Sequence, residues 1–359
     1  MTARLSLRTA GRWTKSSLTN QMQTKIQNIT PESLAKAKRI IREGGVVGMP
    51  TETVYGLGGN ALDDAAVQEI FAVKGRPADN PLIVHVHEGY DLSQLIDYDP
   101  PYAKALREVF LPGPLTLVYP STGKVSRYVS CGLNTLAIRV PAHAGAQAFL
   151  KEVNLPIAAP SANVSKHVSP TSAGHVYDDF NGKIELILDG GDCIGGIEST
   201  VCDVTGEIPV ILRPGLITQE MIAQVVGACE VYTPKLQSGE KVKSPGVLYK
   251  HYSPRCQTRL FLADALGEAV EYANERLQKG ERVAFLCDSA VGKQITCPAT
   301  VLDLGTTPEE MAASLYARLR EAEKVCDRLI IIEPADTSGK MVGVLNRLRK
   351  ACASVDVPH

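Results

Sequence analysis

The feature that most constrains the fold is an alternation of helix-length amphipathic segments and short apolar segments, which runs from Thr30 almost to the C-terminus. Such alternation is typical of α/β proteins. The first predicted helix has Thr30 as its N-cap and Pro31 in its first turn, and it stops at Gly44. A second predicted helix spans residues 64–74 and ends before Gly75. Helix signals begin only at Thr30, so we exclude the preceding stretch from the predicted fold.

The alternation falls into two blocks, which predict two domains. Residues 1–23 are a predicted N-terminal extension, residues 24–230 a first domain, residues 231–255 a linker and residues 256–359 a second domain. Several predicted strands follow one another after residue 184, so the first domain should hold a mixed twisted sheet with helices. The second block alternates regularly, which predicts a smaller parallel-sheet, Rossmann-like α/β domain. It lacks a Gly-x-Gly-x-x-Gly turn, so no dinucleotide fingerprint is present.

The individual elements follow from the same pattern. The predicted strands of the first domain are Val46–Met49, Leu82–Val86, Leu115–Tyr119, Leu136–Val140, Ile157–Ala159, Ile184–Leu188, Thr200–Val204 and Val210–Leu212. Its further helices are predicted near 101–110, 143–152, 171–180 and 218–227. The second domain is predicted to contain strands at Leu260–Leu262, Val283–Leu286, Val301–Leu304 and Leu329–Ile332, with helices near 266–279, 308–325 and 341–352.

Composition excludes several classes of protein. No apolar run approaches the roughly 20 residues that a membrane helix needs. The formal net charge is −1, so a nucleic-acid partner would require a local basic patch. The nine cysteines form no Cys-x-x-Cys pair, and we interpret them as reduced thiols in a reducing compartment.

Residues 1–21 are basic and free of acids, which fits either a mitochondrial transit peptide or an upstream extension before a true start at Met22.

Two polar segments near predicted strands are candidate ligand sites. Pro50–Gly58 combines hydroxyls, one acid and turn-forming residues directly after a strand, a pattern that also fits a hydrogen-bonded turn. Lys74–Leu82 places two cations around a glycine at a helix end, followed by two prolines. Rigid cations suit a polyphosphate, since arginine can donate two parallel hydrogen bonds to phosphate oxygens. Compensation of the helix dipole would explain Lys74 but not Arg76.

Arg139 is the one charged residue inside the apolar run Leu136–Val140. A charge buried in a strand needs a partner. Either an internal carboxylate or a bound anion would serve.

Four further segments carry small hydroxyl, amide or arginine side chains. They are Pro160–Asn163, Ser169–Thr171, Glu198–Val201 and Arg213–Gly215. Such groups suit ribose, phosphate or amino-acid ligands, and they suit turns equally well.

Taken together, these six segments resemble, in their order and spacing, the YrdC/Sua5 family of threonylcarbamoyl-AMP synthases. The linker segment Ser244–Pro254 and the second α/β domain resemble the longer, two-domain Sua5 type. Val247 and Leu248 depart from the methionine and the basic or polar residue expected after Gly246. The resemblance spans about residues 24–355.

The resemblance implies a nucleotidyltransferase that condenses L-threonine, bicarbonate and ATP into L-threonylcarbamoyladenylate and pyrophosphate. The product would serve N6-threonylcarbamoyladenosine formation next to the anticodon of tRNAs that read codons beginning with A. Implied partners are the tRNA threonylcarbamoyl-transferase complex and, weakly, tRNA or double-stranded RNA. Mg²⁺ is expected with ATP, held mainly by phosphates and water. The implied location is the cytoplasm, or the mitochondrion if the first 21 residues are a transit peptide.

The resemblance also assigns roles to individual residues. Lys74 and Arg76 would be catalytic. The implied ATP contacts are Arg76, Asn80, Thr135, Ser161, Ser169, Arg213, Tyr249 and His251. The implied threonine contacts are Thr53, His85, Arg139, Ala159 and Ser199. Tyr249 and His251 would act as a lid over the nucleotide. By residue type alone, His85 fits a core histidine equally well.

Two other functions remain as alternatives. One is a double-stranded RNA-binding module of the same fold, which would bind RNA in a salt-sensitive way without turnover. The other is a hydrogenase-type carbamoyltransferase maturation factor, which shares the first domain. That class resembles this chain less, because it carries paired Cys-x-x-Cys zinc fingers and this sequence has none.

Overall fold

The computed structural model describes residues 22–233 and 252–352. Its strands are β1 (Lys25–Asn28), β2 (Val47–Met49), β3 (Gly56–Asn60), β4 (Ile83–His85), β5 (Leu115–Pro120), β6 (Thr135–Arg139), β7 (Ile157–Ala158), β8 (Leu186–Asp189), β9 (Thr200–Asp203), β10 (Val210–Arg213), β11 (Glu230–Val231), β12 (Gln257–Phe261), β13 (Val283–Cys287), β14 (Thr300–Asp303) and β15 (Arg328–Ile332). Its helices are α1 (Pro31–Arg42), α2 (Asp64–Lys74), α3 (Pro101–Phe110), α4 (Arg127–Ser130), α5 (Ala144–Val153), α6 (Ala173–Phe180), α7 (Gln219–Val226), α8 (Leu266–Gln278), α9 (Ser289–Gly292), α10 (Pro308–Val325) and α11 (Met341–Ala351). None of the helices in this described part could cross a membrane.

The first domain is built on one mixed sheet, which confirms the predicted class. Within the described residues the strand order is β1-β8-β2-β3-β7-β4-β6-β5-β9-β10-β11. β4 runs parallel to β6 but antiparallel to β7. The parallel pairing sets His85 opposite Arg139. This register brings two predicted threonine contacts to neighbouring strand ends.

The helix ends follow the capping signals in the sequence. Thr30 and Ser33 form a reciprocal capping box at the start of α1. The Asp63 side chain accepts a hydrogen bond from the Ala65 amide at the start of α2. Gly75 ends α2 in the left-handed conformation, with φ of 59°. The α2 bounds match the prediction because both ends are specified locally.

Three strands were not predicted: β1, β3 and the two-residue β11. β1 pairs in parallel with β8, so our exclusion of the stretch before Thr30 was wrong for Lys25–Asn28. This strand forms the edge of the sheet, and it carries little apolar signal because it is mostly exposed. β3 begins within the last three residues of Pro50–Gly58, the segment for which we weighed a ligand site against a hydrogen-bonded turn. A Cβ on Gly58 would lie 2.9 Å from Ile157 Cγ2, so glycine is needed for close packing there although it disfavours strands.

The second domain has a four-stranded parallel sheet, which confirms the predicted class. Its strand order is β12-β15-β13-β14. Helices α10 and α11 pack on one side of it and onto the first domain. The apolar cluster at this junction contains Val54 and Val168 of the first domain and Ala312 and Leu315 of α10. A Cβ on Gly196, which has φ of 66°, would lie only 2.1 Å from the Ala312 carbonyl oxygen. The two domains are therefore in direct backbone contact.

The last part of the linker packs into this junction. Tyr252 is buried and stacks on Tyr316 of α10, with ring centroids 5.3 Å apart. The Ser253 amide donates to the Lys166 carbonyl. Tyr249 and His251, to which we assign the lid, lie outside the described residues.

Candidate active site

The strand ends of the first domain surround a cleft of about 730 Å³, counting space open to solvent. Its walls come from the turn after β2, the ends of β4, β6 and β10, and the segments after β7 and before β9. The lining residues are Thr51, Thr53, Val54, Gly56, Arg76, Pro81, Leu82, Ile83, His85, Arg139, Ala159, Pro160, Ser161, Asn163, His167, Ser169, Glu198, Ser199, Arg213 and Tyr252.

Nine of the predicted site residues line this one cleft. They are Thr53, Arg76, His85, Arg139, Ala159, Ser161, Ser169, Ser199 and Arg213. Three others in the described part lie outside the lining. Asn80 is buried, and its carbonyl accepts a hydrogen bond from Arg76 Nη2 at 3.0 Å. Thr135 opens β6 opposite Pro120, and Lys74 lies behind the cleft wall.

Arg139 is held by an internal carboxylate. Its Nη2 lies 2.7 Å from Glu52 Oε1, and both groups are almost completely buried. The pair is close enough for charge attraction but not aligned as a hydrogen bond, since these atoms have no hydrogen-bond partner among the described residues. Arg139 Nη1 donates to Thr53 Oγ1 at 2.7 Å, and Nε donates to the Gly113 carbonyl. The sequence left open an internal carboxylate or a bound anion as the partner of Arg139. Glu52 is that internal carboxylate.

The turn after β2 orders the hydroxyl that Arg139 contacts. Thr51 Oγ1 donates to the Val54 carbonyl at 2.6 Å and accepts from the Thr53 and Val54 amides. It also lies 2.9 Å from Thr53 Oγ1. The hydrogen-bonded turn and the ligand site, weighed as alternatives for this segment, thus use the same residues.

His85 is a neutral imidazole in this environment. Burial, and then the nearby Arg139, lower the pKa of His85 to about 3. Its Nδ1 is buried without a hydrogen-bond partner in the described part of the chain. The side chain therefore offers a neutral polar atom to a ligand, not a charge.

Lys74 supports the cleft from behind. Its ammonium donates to the Ser161 carbonyl, and to the Asn163 carbonyl at 2.7 Å. Burial, and then Arg76, lower the pKa of Lys74. Ser161 Oγ in turn donates to Asn163 Oδ1 at 2.6 Å. Lys74 thus fixes the turn that presents a predicted ATP contact.

Glu198 and Arg213 form the opposite wall. Arg213 donates from Nε and Nη2 to the Ser199 carbonyl at 3.2 and 2.9 Å. Ser169 Oγ donates to Glu198 Oε1 at 2.7 Å. Burial alone would raise the pKa of Glu198, but Arg347 of α11 and Arg213 lower it to about 2. Glu198 is therefore a carboxylate at neutral pH.

Among the residues that the sequence left without a role, Glu198 and Tyr252 line the cleft, whereas Glu52 lies beside Arg139 outside the lining. Glu52 and Glu198 stand inside segments that we singled out, yet neither received a role because an acid in a turn gives no signal of its own. Tyr252 lies in the linker motif beside Tyr249 and His251, to which we assign the lid. The signal available in the sequence was the cluster of large aromatic side chains in the linker, which indicates packing.

The sequence and the fold both match known proteins. A Sua5/YciO/YrdC family model, described as telomere recombination, matches residues 39–215. A second model, described as the C-terminal domain of threonylcarbamoyl-AMP synthase, matches residues 217–353.

Curated relatives match over most of their length. The threonylcarbamoyl-AMP synthase of Pyrococcus abyssi is 42% identical, over 88% of this chain and 92% of the relative. That of Schizosaccharomyces pombe is 36% identical, over 91% and 90%. The crystal structure of P. abyssi Sua5 complexed with L-threonine superposes with a TM-score of 0.84 at 40% identity, covering 92% of this chain and 97% of that one. With both domain models matched in order and relatives of this identity over most of the chain, the protein belongs to the two-domain Sua5 family of threonylcarbamoyl-AMP synthases.

Proposed function

We propose that this protein is a nucleotidyltransferase that makes L-threonylcarbamoyladenylate and pyrophosphate from L-threonine, bicarbonate and ATP. The observation that carries this function is the convergence of Arg76, Arg139 and Arg213 on one cleft between two walls of hydroxyl groups. Three fixed cations suit a triphosphate beside an amino-acid carboxylate. Similarity over most of the chain to proteins of that name supports the same activity.

The threonine half of the site lies around Arg139. Its guanidinium would bind the threonine carboxylate, while the Glu52 oxygens, which lack a hydrogen-bond partner among the described residues, would accept from the amine. His85 Nδ1 is suited to the substrate hydroxyl, because it is uncharged and unpaired in the described part. Ser199 Oγ, 2.7 Å from Thr116 Oγ1, and the Ala159 backbone would complete this half. The P. abyssi relative was crystallised with L-threonine.

The ATP half lies between Arg76 and Arg213. These two guanidiniums would bind phosphate oxygens, and Ser161 and Ser169 would contact the nucleotide. Asn80 supports Arg76 through its carbonyl, and Lys74 supports Ser161 from behind. Thr135 and the lid residues Tyr249 and His251 remain assigned to ATP by the family resemblance.

All bonds that form and break in the reaction would join atoms of the substrates, and none would join a substrate to the protein. The threonine nitrogen adds to bicarbonate and water leaves, which gives an N-carboxylate. Its oxygen then bonds to the α-phosphorus while the bond from that phosphorus to the bridging oxygen breaks, and pyrophosphate departs. Such a reaction needs positioning and charge neutralisation more than a protein nucleophile. Burial raises the pKa of Cys193, which lies in the field of Glu52 and Arg139, to about 12, so its thiol stays protonated at neutral pH.

Mg²⁺ would arrive with ATP. The described residues include no cluster of three His, Cys, Asp or Glu side chains that could hold a metal ion. We place Mg²⁺ on phosphate oxygens and water because this small hard cation prefers those ligands. When bound, it would neutralise charge on the triphosphate.

The product would pass to the tRNA threonylcarbamoyl-transferase complex in the cytoplasm. Weak binding of tRNA or double-stranded RNA would accompany synthesis and would not replace it. A mitochondrial location applies if residues 1–21 form a transit peptide.

Pyrophosphate release tests this function directly. We expect release from ATP only when both threonine and bicarbonate are present. Release without threonine would contradict the proposal. Salt-sensitive RNA binding without any release would favour the RNA-binding alternative.

A further inference from the structure

The second domain reaches the cleft wall through two buried side chains. Tyr316 OH of α10 donates to Glu198 Oε2 at 2.9 Å, and Arg347 Nε of α11 donates to the same oxygen at 3.0 Å. Both side chains are fully buried. The other Glu198 oxygen accepts from Ser169, an assigned ATP contact. Glu198 therefore connects the second domain to the nucleotide half of the cleft.

Arg347 also holds the backbone next to Ser199 and next to Arg213. Its Nη2 donates to the Glu198 carbonyl at 3.3 Å, and its Nη1 donates to the Pro214 carbonyl. Glycine allows the helix to come this close, because a Cβ on Gly343 would lie 3.0 Å from the Gly215 carbonyl oxygen. One guanidinium thus links the segment before β9 to the turn after β10, and Arg213 lies at the end of β10.

Charge gives Arg347 a second effect. Glu198 is ionised and lines the cleft, where it would repel a triphosphate beside Arg213. Arg347, which is buried against it, compensates that charge. Loss of this cation would leave a buried carboxylate without its salt-bridge partner at the nucleotide site.

We propose that Arg347 and Tyr316 are positioning residues for the nucleotide half of the active site. They act through Glu198 on Ser169 and Arg213, so the second domain completes ATP binding rather than threonine binding. This inference rests on the proposed function.

Tyr316→Phe in the full-length protein is the test, because it removes one hydroxyl and keeps the stacked ring. Tyr272→Phe is the matched control: its hydroxyl accepts from Arg328 Nη1 at 2.9 Å, within the second domain. Loss of a hydrogen bond to a charged group predicts about a tenfold rise in the KM for ATP with Tyr316→Phe. The KM for threonine should stay within about twofold, and the control should change neither.

Conservative exchange at Arg347 gives a second measurement. Arg347→Lys keeps the charge and should bind ATP better than Arg347→Met, with calorimetric ATP titration as the readout. An ATP affinity of Tyr316→Phe equal to that of Tyr272→Phe would overturn the inference, as would equal losses for both substrates. If the wild type binds ATP but makes no product, the proposed function fails while the positioning test still stands.

Discussion

The buried pair of Arg139 and Glu52 gives the sharpest prediction, because it separates folding from substrate binding. Arg139→Ala removes a cation that is about 3% exposed and leaves Glu52 buried without its charge partner. Breaking a buried pair from one side costs about 3–5 kcal/mol of unfolding free energy. The same change should cost about 2–5 kcal/mol of threonine binding.

The double variant Arg139→Ala with Glu52→Gln separates the two effects. Glutamine removes the stranded charge, so most of the unfolding free energy should return. Threonine binding should stay weak, with a KM at least about 30-fold above that of the wild type, since about 1.4 kcal/mol corresponds to a factor of ten.

Urea unfolding and threonine-dependent pyrophosphate release measure the two quantities on the same samples. Glu52→Gln alone is the control for loss of the carboxylate. A double variant that regains stability and also binds threonine like the wild type would refute the assignment of Arg139. A single variant as stable as the wild type would refute the buried-pair argument.

Two further predictions address the other half of the site and its pH dependence. Arg213→Ala should raise the KM for ATP and leave the KM for threonine near that of the wild type; a pure threonine defect in steady-state kinetics would show that the two halves are exchanged. Since the pKa of His85 is lowered to about 3 in the folded protein, the unfolded chain binds its proton first, and stability is lost as pH falls below about 6.5. Between pH 7 and pH 5 this residue should account for about 2 kcal/mol of lost unfolding free energy, which His85→Asn should abolish in urea titrations; an unchanged pH slope would contradict the buried neutral imidazole.

Elements with local signals could be predicted from the sequence. Helix α2 matches because Asp63 and Gly75 specify its two ends. Strand β3 was missed because its glycines are required by close packing and disfavour a strand. Gly58, for example, packs against Ile157, about a hundred residues away in the chain. Strand β1 was missed because its edge position removes the alternating apolar signal.

In the candidate site, too, residues with a local signal were predicted and contacts between distant segments were not. The sequence indicated that Arg139 needs a partner, because the apolar residues around it predict burial. It did not identify Glu52, since that contact depends on how the turn after β2 folds over β6. The contact of Arg347 with Glu198 joins residues 149 positions apart on different domains. Nothing in the local pattern of either residue specifies how two domains dock.

The most direct test of the enzyme is mass spectrometry of a reaction containing ATP, threonine and ¹³C-bicarbonate. We expect a threonylcarbamoyl adenylate that carries one labelled carbon, formed in step with pyrophosphate. A threonyl adenylate without the label, or hydrolysis of ATP with no adenylate at all, would contradict the assigned reaction.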